Sequence, residues 1–166
     1  GIREATGLEA AIKWPNDVVI RGKKVAGILT EMSTDLDRIE FVVIGIGINV
    51  NTGSFPEEIR EVATSLAIEQ GKETARTPII AAVWKQFAHY EKVFEENGSF
   101  ASLKERYEAL LANRGREVRV LDPDGEYCGV AEGITESGEL LVRREDQSLT
   151  AVRSGEVSVR GIYGYI

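Results

Sequence analysis

Cysteine is almost missing from this chain of 166 residues: Cys128 is the single one, which excludes an internal disulfide and any cysteine-based metal cluster. It lies in an apparent strand, Tyr127 to Val130, and reads as a packing residue. Histidine is equally scarce. His89 has no second histidine with which to share a metal, no Gly-x-Ser-x-Gly elbow accompanies it, and its helical surroundings make it a surface residue. Chemistry here must therefore run through lysine, carboxylate, amide side chains and backbone N–H groups. Long apolar runs are absent too, since the longest, such as Phe41 to Ile48, are far too short to span a bilayer. Positive charge is in deficit, with 27 acidic against 20 basic residues and a net charge of −7, which argues against nonspecific nucleic-acid binding. The sequence does not open on a basic stretch followed by an apolar one. Together these absences lead us to expect a cytoplasmic protein with no membrane and no nucleic-acid partner through this segment.

What is present is concentrated early. Lys13-Trp14-Pro15-Asn16-Asp17 places a turn-forming Pro-Asn-Asp between two extended apolar runs, and Lys24-Val25-Ala26-Gly27 follows within one hairpin. Two lysines and a carboxylate held at a strand end suit an anionic ligand, with Asp17 free to hold a divalent cation. The same residues also read as a surface turn with ordinary charges, and Trp14 as core. Around them, residues 1–7 read as the end of a helix closed by Gly7. Strands are expected over Ala10 to Trp14, Asp17 to Ile20 and Val25 to Met32, with a hairpin turn at Arg21-Gly22-Lys23. After a polar loop from Ser33 to Arg38, Ile39 to Val50 reads as a strand buried on both faces. Gly45 and Gly47 leave one face of it bare, as a bulge or a close-approaching ligand requires.

The middle of the chain is helical. A helical turn begins at Phe55-Pro56, and a short helix runs from Ala63 to Glu69. Thr77 and Pro78 form an N-cap and N1 pair, opening a helix whose Ile80, Val83, Trp84, Phe87, Tyr90 and Phe94 form an apolar stripe expected in the core. Ser99 caps a further helix with Phe100, Leu103, Tyr107, Leu110 and Leu111 on one face. Near Asn113 the period becomes alternating. Five short strands, Val118 to Val120, Tyr127 to Ala131, Leu140 to Val142, Leu149 to Val152 and Val157 to Val159, are joined by tight turns such as Asp122-Pro123-Asp124-Gly125. They make a small barrel, SH3-like or OB-like, with acidic loops. The expected division is residues 1–113 and residues 114–166.

Four motifs then fall in order: Lys13 to Asp17, Lys24 to Glu31, Gly45-Ile46-Gly47-Ile48-Asn49-Val50-Asn51 and Ala63-Thr64-Ser65-Leu66, with Ser154-Gly155-Glu156-Val157-Ser158 in the terminal β-region. In this the chain closely resembles biotin–protein ligases, also called biotin–[acetyl-CoA-carboxylase] ligases. The resemblance implies an α+β fold, a mixed or antiparallel sheet packed by helices as in class II synthetases, followed by an SH3-like barrel. It implies ATP-dependent activation of biotin to biotinyl-5′-AMP, with Mg²⁺, and transfer to a lysine of the biotin carboxyl carrier domain of acetyl-CoA carboxylase. Lys24 would bridge the biotin carboxylate and the α-phosphate; Lys13, Asn16 and Asn49 would contact the nucleotide. Asp17 would serve the metal or order the lysines, and Gly27, Gly45 and Gly47 would admit the biotin ring and chain. The Gly/Arg-rich segment of the family is not found upstream of Lys13, so the expectation is a truncated, weakly active or inactive chain whose exposed edge favours a homodimer. The competing readings are a lipoate–protein ligase and a noncatalytic SH3-like interaction module.

Overall fold

Alternation of apolar residues makes Ala10–Lys13 (β1) and Asp17–Ile20 (β2) antiparallel partners, with Lys13 opposite Asp17. This pairing is taken from a computed structural model, which describes residues 1–35, 38–122, 125–154, 158–161 and 165–166. Arg21 and Gly22, both at positive φ, turn the chain into Lys23–Asp35 (β3), as a two-residue hairpin demands. Arg38–Ile48 (β4) completes an antiparallel sheet in the order β1-β2-β3-β4. The expected polar loop is thus mostly strand. Thr34 and Asp35 pair with Ile39 and Arg38, so the two strands run almost to their connection.

Ile2–Thr6 (α1) ends at Gly7 in the left-handed region. Leu66–Gln70 (α2) starts three residues later than expected for a physical reason: the Ser65 hydroxyl accepts the Ile68 N–H and caps the helix there. Arg76–Asn97 (α3) is capped at Ala75, which places Thr77 and Pro78 inside its first turn, where proline still leaves no hydrogen bond unmade. Ala101–Leu110 (α4) has Phe100 at its N-cap, and Ser99 gives it no side-chain cap. Ile2, Ala10, Ile20, Val25, Ala26, Leu66 and Ile79 form the core shared by this sheet and its helices.

Two burial expectations fail in this half. The strand expected to be covered on both faces is an exposed edge: Phe41 is 57% and Val43 53% accessible, because β4 has β3 on one side only and α3 stands across an open cavity from Val42, Ile44 and Ile46. On α3, Ile79 and Ala82 are the buried residues, whereas Ile80, Trp84 and Phe94 of the expected stripe are exposed and Phe87 and Tyr90 half-buried. His89 lies on the helix surface, as its surroundings implied.

Glu117–Leu121 (β5), Tyr127–Ile134 (β6), Leu140–Arg143 (β7), Leu149–Val152 (β8) and Ser158–Gly161 (β9) form a second antiparallel sheet in the order β8-β7-β6-β5-β9. Among the described residues its pairings leave two edges, and no strand pair closes a barrel. Pro123, Asp124 and Val157, and the Gly155-Glu156-Val157 part of the last motif, lie outside the described residues. Val118, Val120, Ala131, Leu140, Val142, Val152 and Val159 all point to one core, completed by Trp14 and Leu111. Cys128 is exposed, because it sits on the strand position opposite Arg119, on the outer side of the alternation, and contributes nothing to packing.

The two sheets meet through Trp14. Its ring is 2% accessible within the second core, its Nε1–H donates to the Gly138 carbonyl at 2.9 Å, and its backbone N–H donates to Asn113 Oδ1 at 2.9 Å. The residues flanking Trp14, Lys13 and Pro15-Asn16-Asp17, are therefore fixed from both sides.

Candidate functional site

Asp17 opens β2 and pairs across the sheet with Lys13 on one side and Gly27 on the other. Strict alternation would send Lys24 to the face opposite Gly27, three residues on. A bulge prevents this. Val18 pairs with Ala26 while Val19 pairs with Lys24, so Val25 is an extra residue in β3 and the parity reverses. Val25 is wholly buried, and Lys24 joins Gly27 and Asp17 on the same face. The Lys24 backbone is braced from beyond the hairpin, its N–H donating to the Val62 carbonyl at 2.7 Å and its carbonyl accepting the Thr64 N–H at 2.8 Å.

The result is an ion pair with Lys24 Nζ 2.5 Å from Asp17 Oδ1, at the wall of an open cleft of about 520 Å³. Asn16, Gly27, Ile28, Leu29, Gly45, Ile46 and Gly47 line the remainder. The Lys24 side chain is 41% accessible and reaches the cleft. Lys13 does not: its side chain is 8% accessible, and Nζ lies behind Asp17 at 3.9 Å from Oδ2. Burial lowers the Lys13 pKa below the usual lysine range, Asp17 raises it again in part, and the charges of Lys24 and Arg160 push it further down. The lysine expected to touch phosphate thus stands in the second row. Asn49 is also turned away, donating its amide to the Thr64 carbonyl at 3.1 Å, while Asn16 spends its amide on the Ile28 carbonyl at 2.7 Å.

The three glycines differ in what they require. A Cβ on Gly27 would stand 3.1 Å from Lys24 Cε and Nζ, so this glycine leaves room for the lysine itself. At Gly45 and Gly47 the nearest atoms would be backbone oxygens at 3.7 and 3.9 Å, ordinary contacts. No protein neighbour demands glycine there, and the bare strand faces the cleft.

One residue of the site gave no signal in the sequence. Tyr165, beyond β9, donates its hydroxyl to Asp17 Oδ2, and its ring lies 4.4 Å from Lys13 Nζ. Burial raises its phenol pKa, and the Asp17 hydrogen bond and charge raise it further. Nothing local to Tyr165 could have announced a contact with a residue so distant in the chain. Among the described residues Asp17 is the one carboxylate lining the cleft, and no three His, Cys, Asp or Glu side chains gather as a metal cage. Such a donor set fits an ion carried mainly by phosphate oxygens rather than by the protein.

A half-exposed ammonium held by a carboxylate thus shares an open cleft with the two glycines of β4, an arrangement with room and charge for an anion. Comparison with known proteins gives the family. Residues 1–49 match the model of the biotin/lipoate A/B protein ligase family, and residues 115–160 that of the biotin protein ligase C terminal domain. The bifunctional ligase/repressor BirA of Bacillus subtilis is 38% identical over 148 residues, 88% of this chain and 45% of that protein. The biotin–[acetyl-CoA-carboxylase] ligase of Paracoccus denitrificans is 32% identical over 136 residues, 80% of this chain and 56% of that one. The apo structure of the Aquifex aeolicus biotin protein ligase superposes with a TM-score of 0.85 at 36% identity, covering 96% of this chain and 69% of that one. The same enzyme in complex with biotin and ATP gives a TM-score of 0.84. The chain belongs to the biotin protein ligase family. It spans about half the length of the curated relatives it matches.

Proposed function

We propose that this protein activates biotin with ATP to biotinyl-5′-AMP and transfers the biotinyl group to a lysine of a biotin carboxyl carrier domain, such as that of acetyl-CoA carboxylase. The observation that carries the reading is the Lys24–Asp17 pair at the wall of the glycine-faced cleft. Two anions must meet for this chemistry: a carboxylate oxygen bonds to the α-phosphorus and the bond to pyrophosphate breaks. Their repulsion is strong in a partly desolvated cleft unless a cation stands between them. Lys24 is placed to do this. Asp17 holds the ammonium in position, with Lys13 behind it. Gly45 and Gly47 admit the valeryl chain and ureido ring against the backbone, Gly27 keeps the Lys24 ammonium unobstructed, and Asn16 shapes the rim of the nucleotide side. We assign Asn49 to ordering the Thr64 segment that braces Lys24, and Lys13 to supporting Asp17. Asp17 is the carboxylate that would meet a Mg²⁺ carried in on the ATP phosphates, and that ion would supply further charge neutralisation.

In the second step the carrier lysine amine attacks the acyl carbon, the bond to AMP breaks and the amine proton passes to solvent. No covalent enzyme intermediate is needed, so orientation and charge neutralisation supply the rate. Residues 114–166 we take as a separate SH3-like domain. Inward side chains of all five strands share one core, to which Trp14 and Leu111 are added and on which Phe100 and Tyr107 pack, which supports a sheet curled on itself. The unpaired edge β4, with its apolar side chains, supports self-association.

The test uses the full-length protein with biotin and MgATP. Pyrophosphate release and a biotinyl-5′-AMP mass are the expected products, followed by a biotinylated carrier lysine. Activation of lipoate but not biotin would replace this reading with the lipoate ligase alternative, and activation of neither with the noncatalytic module.

A further inference from the structure

We propose that Tyr165 is a positioning residue of the acyl-activating site, contributed by the C-terminal sheet, which orients Asp17 so that Lys24 faces the cleft. The inference rests on the adenylation reading above and adds a residue to it. Its first support is that the two Asp17 oxygens have different tasks. Oδ1 receives the Lys24 ammonium at 2.5 Å, while Oδ2 accepts the Tyr165 hydroxyl and has Lys13 only at 3.9 Å. Without the hydroxyl, Oδ2 is left with the longer contact alone, and rotation of the carboxylate toward Lys13 would release Lys24. The second support is the ring of Tyr165 beside Lys13 Nζ at 4.4 Å, which compensates in part for burying that ammonium. Tyr165 thus touches both the carboxylate and the lysine behind it.

The third support is that the seat of this segment is built. Gly161 has no Cβ where one would collide with the Ile166 carbonyl, and the Ile166 side chain lies against the β2–β3 turn, 3.5 Å from where a Cβ of Gly22 would stand. The hairpin that carries Lys24 and the segment that carries Tyr165 are therefore packed on each other. Asp17 is 9% accessible, so water does not readily replace a lost donor.

The test compares Tyr165→Phe and Tyr165→Ala with the wild type in the full-length protein, by biotin-dependent ATP–pyrophosphate exchange well below all three melting temperatures. A hydrogen bond to a charged group sets the expected scale, and Tyr165→Phe should lower kcat roughly tenfold with KM for biotin within about twofold. Its melting temperature should stay near that of the wild type, since the ring and its packing remain. Tyr165→Ala should be slower still. Wild-type kcat in Tyr165→Phe would overturn the inference even if Tyr165→Ala lost stability and activity together, because the contact would then be a tie between sheets and nothing more. A wild-type protein with no exchange on biotin would sink the adenylation reading, and the positioning role with it; an active wild type with an unaffected phenylalanine variant would sink the positioning role alone.

Discussion

In the sheet β5–β9, Val118, Val120, Ala131, Leu140 and Val142 are 0% accessible, whereas in β4 the same kinds of side chain stand open, Val42 at 48% and Ile44 at 43%. The difference follows from what each sheet packs against. The second sheet alternates, so its apolar residues meet one another and Trp14 on one side while Arg119, Cys128 and Arg143 take the other. The first sheet ends in a strand with apolar residues at nearly every position and glycine at 45 and 47, and the cleft that holds Lys24 and Asp17 opens beside those glycines. Burial there is concentrated in β2 and the start of β3, where Val19, Ile20, Val25 and Ala26 anchor the hairpin that carries Asp17 and Lys24. One sheet closes its apolar side chains into a core; the other leaves those of β4 open, a strand with glycine only at 45 and 47, beside the cleft.

This contrast is sharpest in activity. Lys24→Met should lower adenylate formation by about 10²–10³-fold, the usual cost of removing a preorganised electrostatic group, while the melting temperature moves little because the side chain is half-exposed. Pyrophosphate release and thermal melting read the two quantities. Full adenylate synthesis in this variant would remove the site from β3 altogether. Stability should show the reverse asymmetry. Leu140→Ala, in the closed core, should cost about 2–5 kcal/mol in urea unfolding, and Phe41→Ser, on the open strand, no more than about 0.5 kcal/mol. Equal costs would mean that β4 is covered in solution.

The elements of the second sheet were legible because alternating valines and leucines between acidic turns specify both strand and face. The charged cluster was legible as well, since Lys13, Asp17 and Lys24 are close in sequence and a hairpin brings them together. Which lysine enters the cleft was not legible. That depends on one extra residue, Val25, and a bulge has no periodic signature when its neighbours are all apolar. The error on β4 has another origin. A continuous run of Val, Ile and Phe records that a strand is apolar on both faces, not that anything covers them. On α3 the same limit applies, since the spacing of Ile80, Val83, Trp84 and Phe87 fixes a stripe but the helix's approach to α1 buries Ile79 and Ala82 instead. Tyr165 and Asn113 act across more than 90 residues of chain, beyond any local pattern.

A smaller test addresses the seam between the sheets. Asn113 is wholly buried, and its Oδ1 accepts the backbone N–H of Trp14, next to the site. Asn113→Ala leaves that N–H without a partner and should cost about 1–3 kcal/mol by urea unfolding. If the first sheet depends on the second for its geometry, KM for biotin should rise in the same variant at temperatures where it remains folded. An unchanged KM would show that the site tolerates slack in Trp14.

The mildest expected effect concerns Glu108, which ties α4 to β6 of the second sheet. Burial raises the Glu108 pKa, but the Lys104 ion pair, the Ile134 N–H at 2.9 Å and the charges of Lys104 and Arg114 outweigh it, leaving the net shift downward from 4.5. A carboxylate with a depressed pKa in the folded state contributes stability that is fully present above its unfolded value, near 4.5, and is lost as pH falls through the folded value. Glu108→Gln keeps an acceptor for the Ile134 N–H and removes the titration. Its stability should therefore be lower than wild type at neutral pH and converge on it as the pH falls through the folded value, a narrowing that urea unfolding at a series of pH values would reveal. A constant gap at every pH would assign the role of Glu108 to packing under Gly133, and the link between α4 and β6 would then be steric.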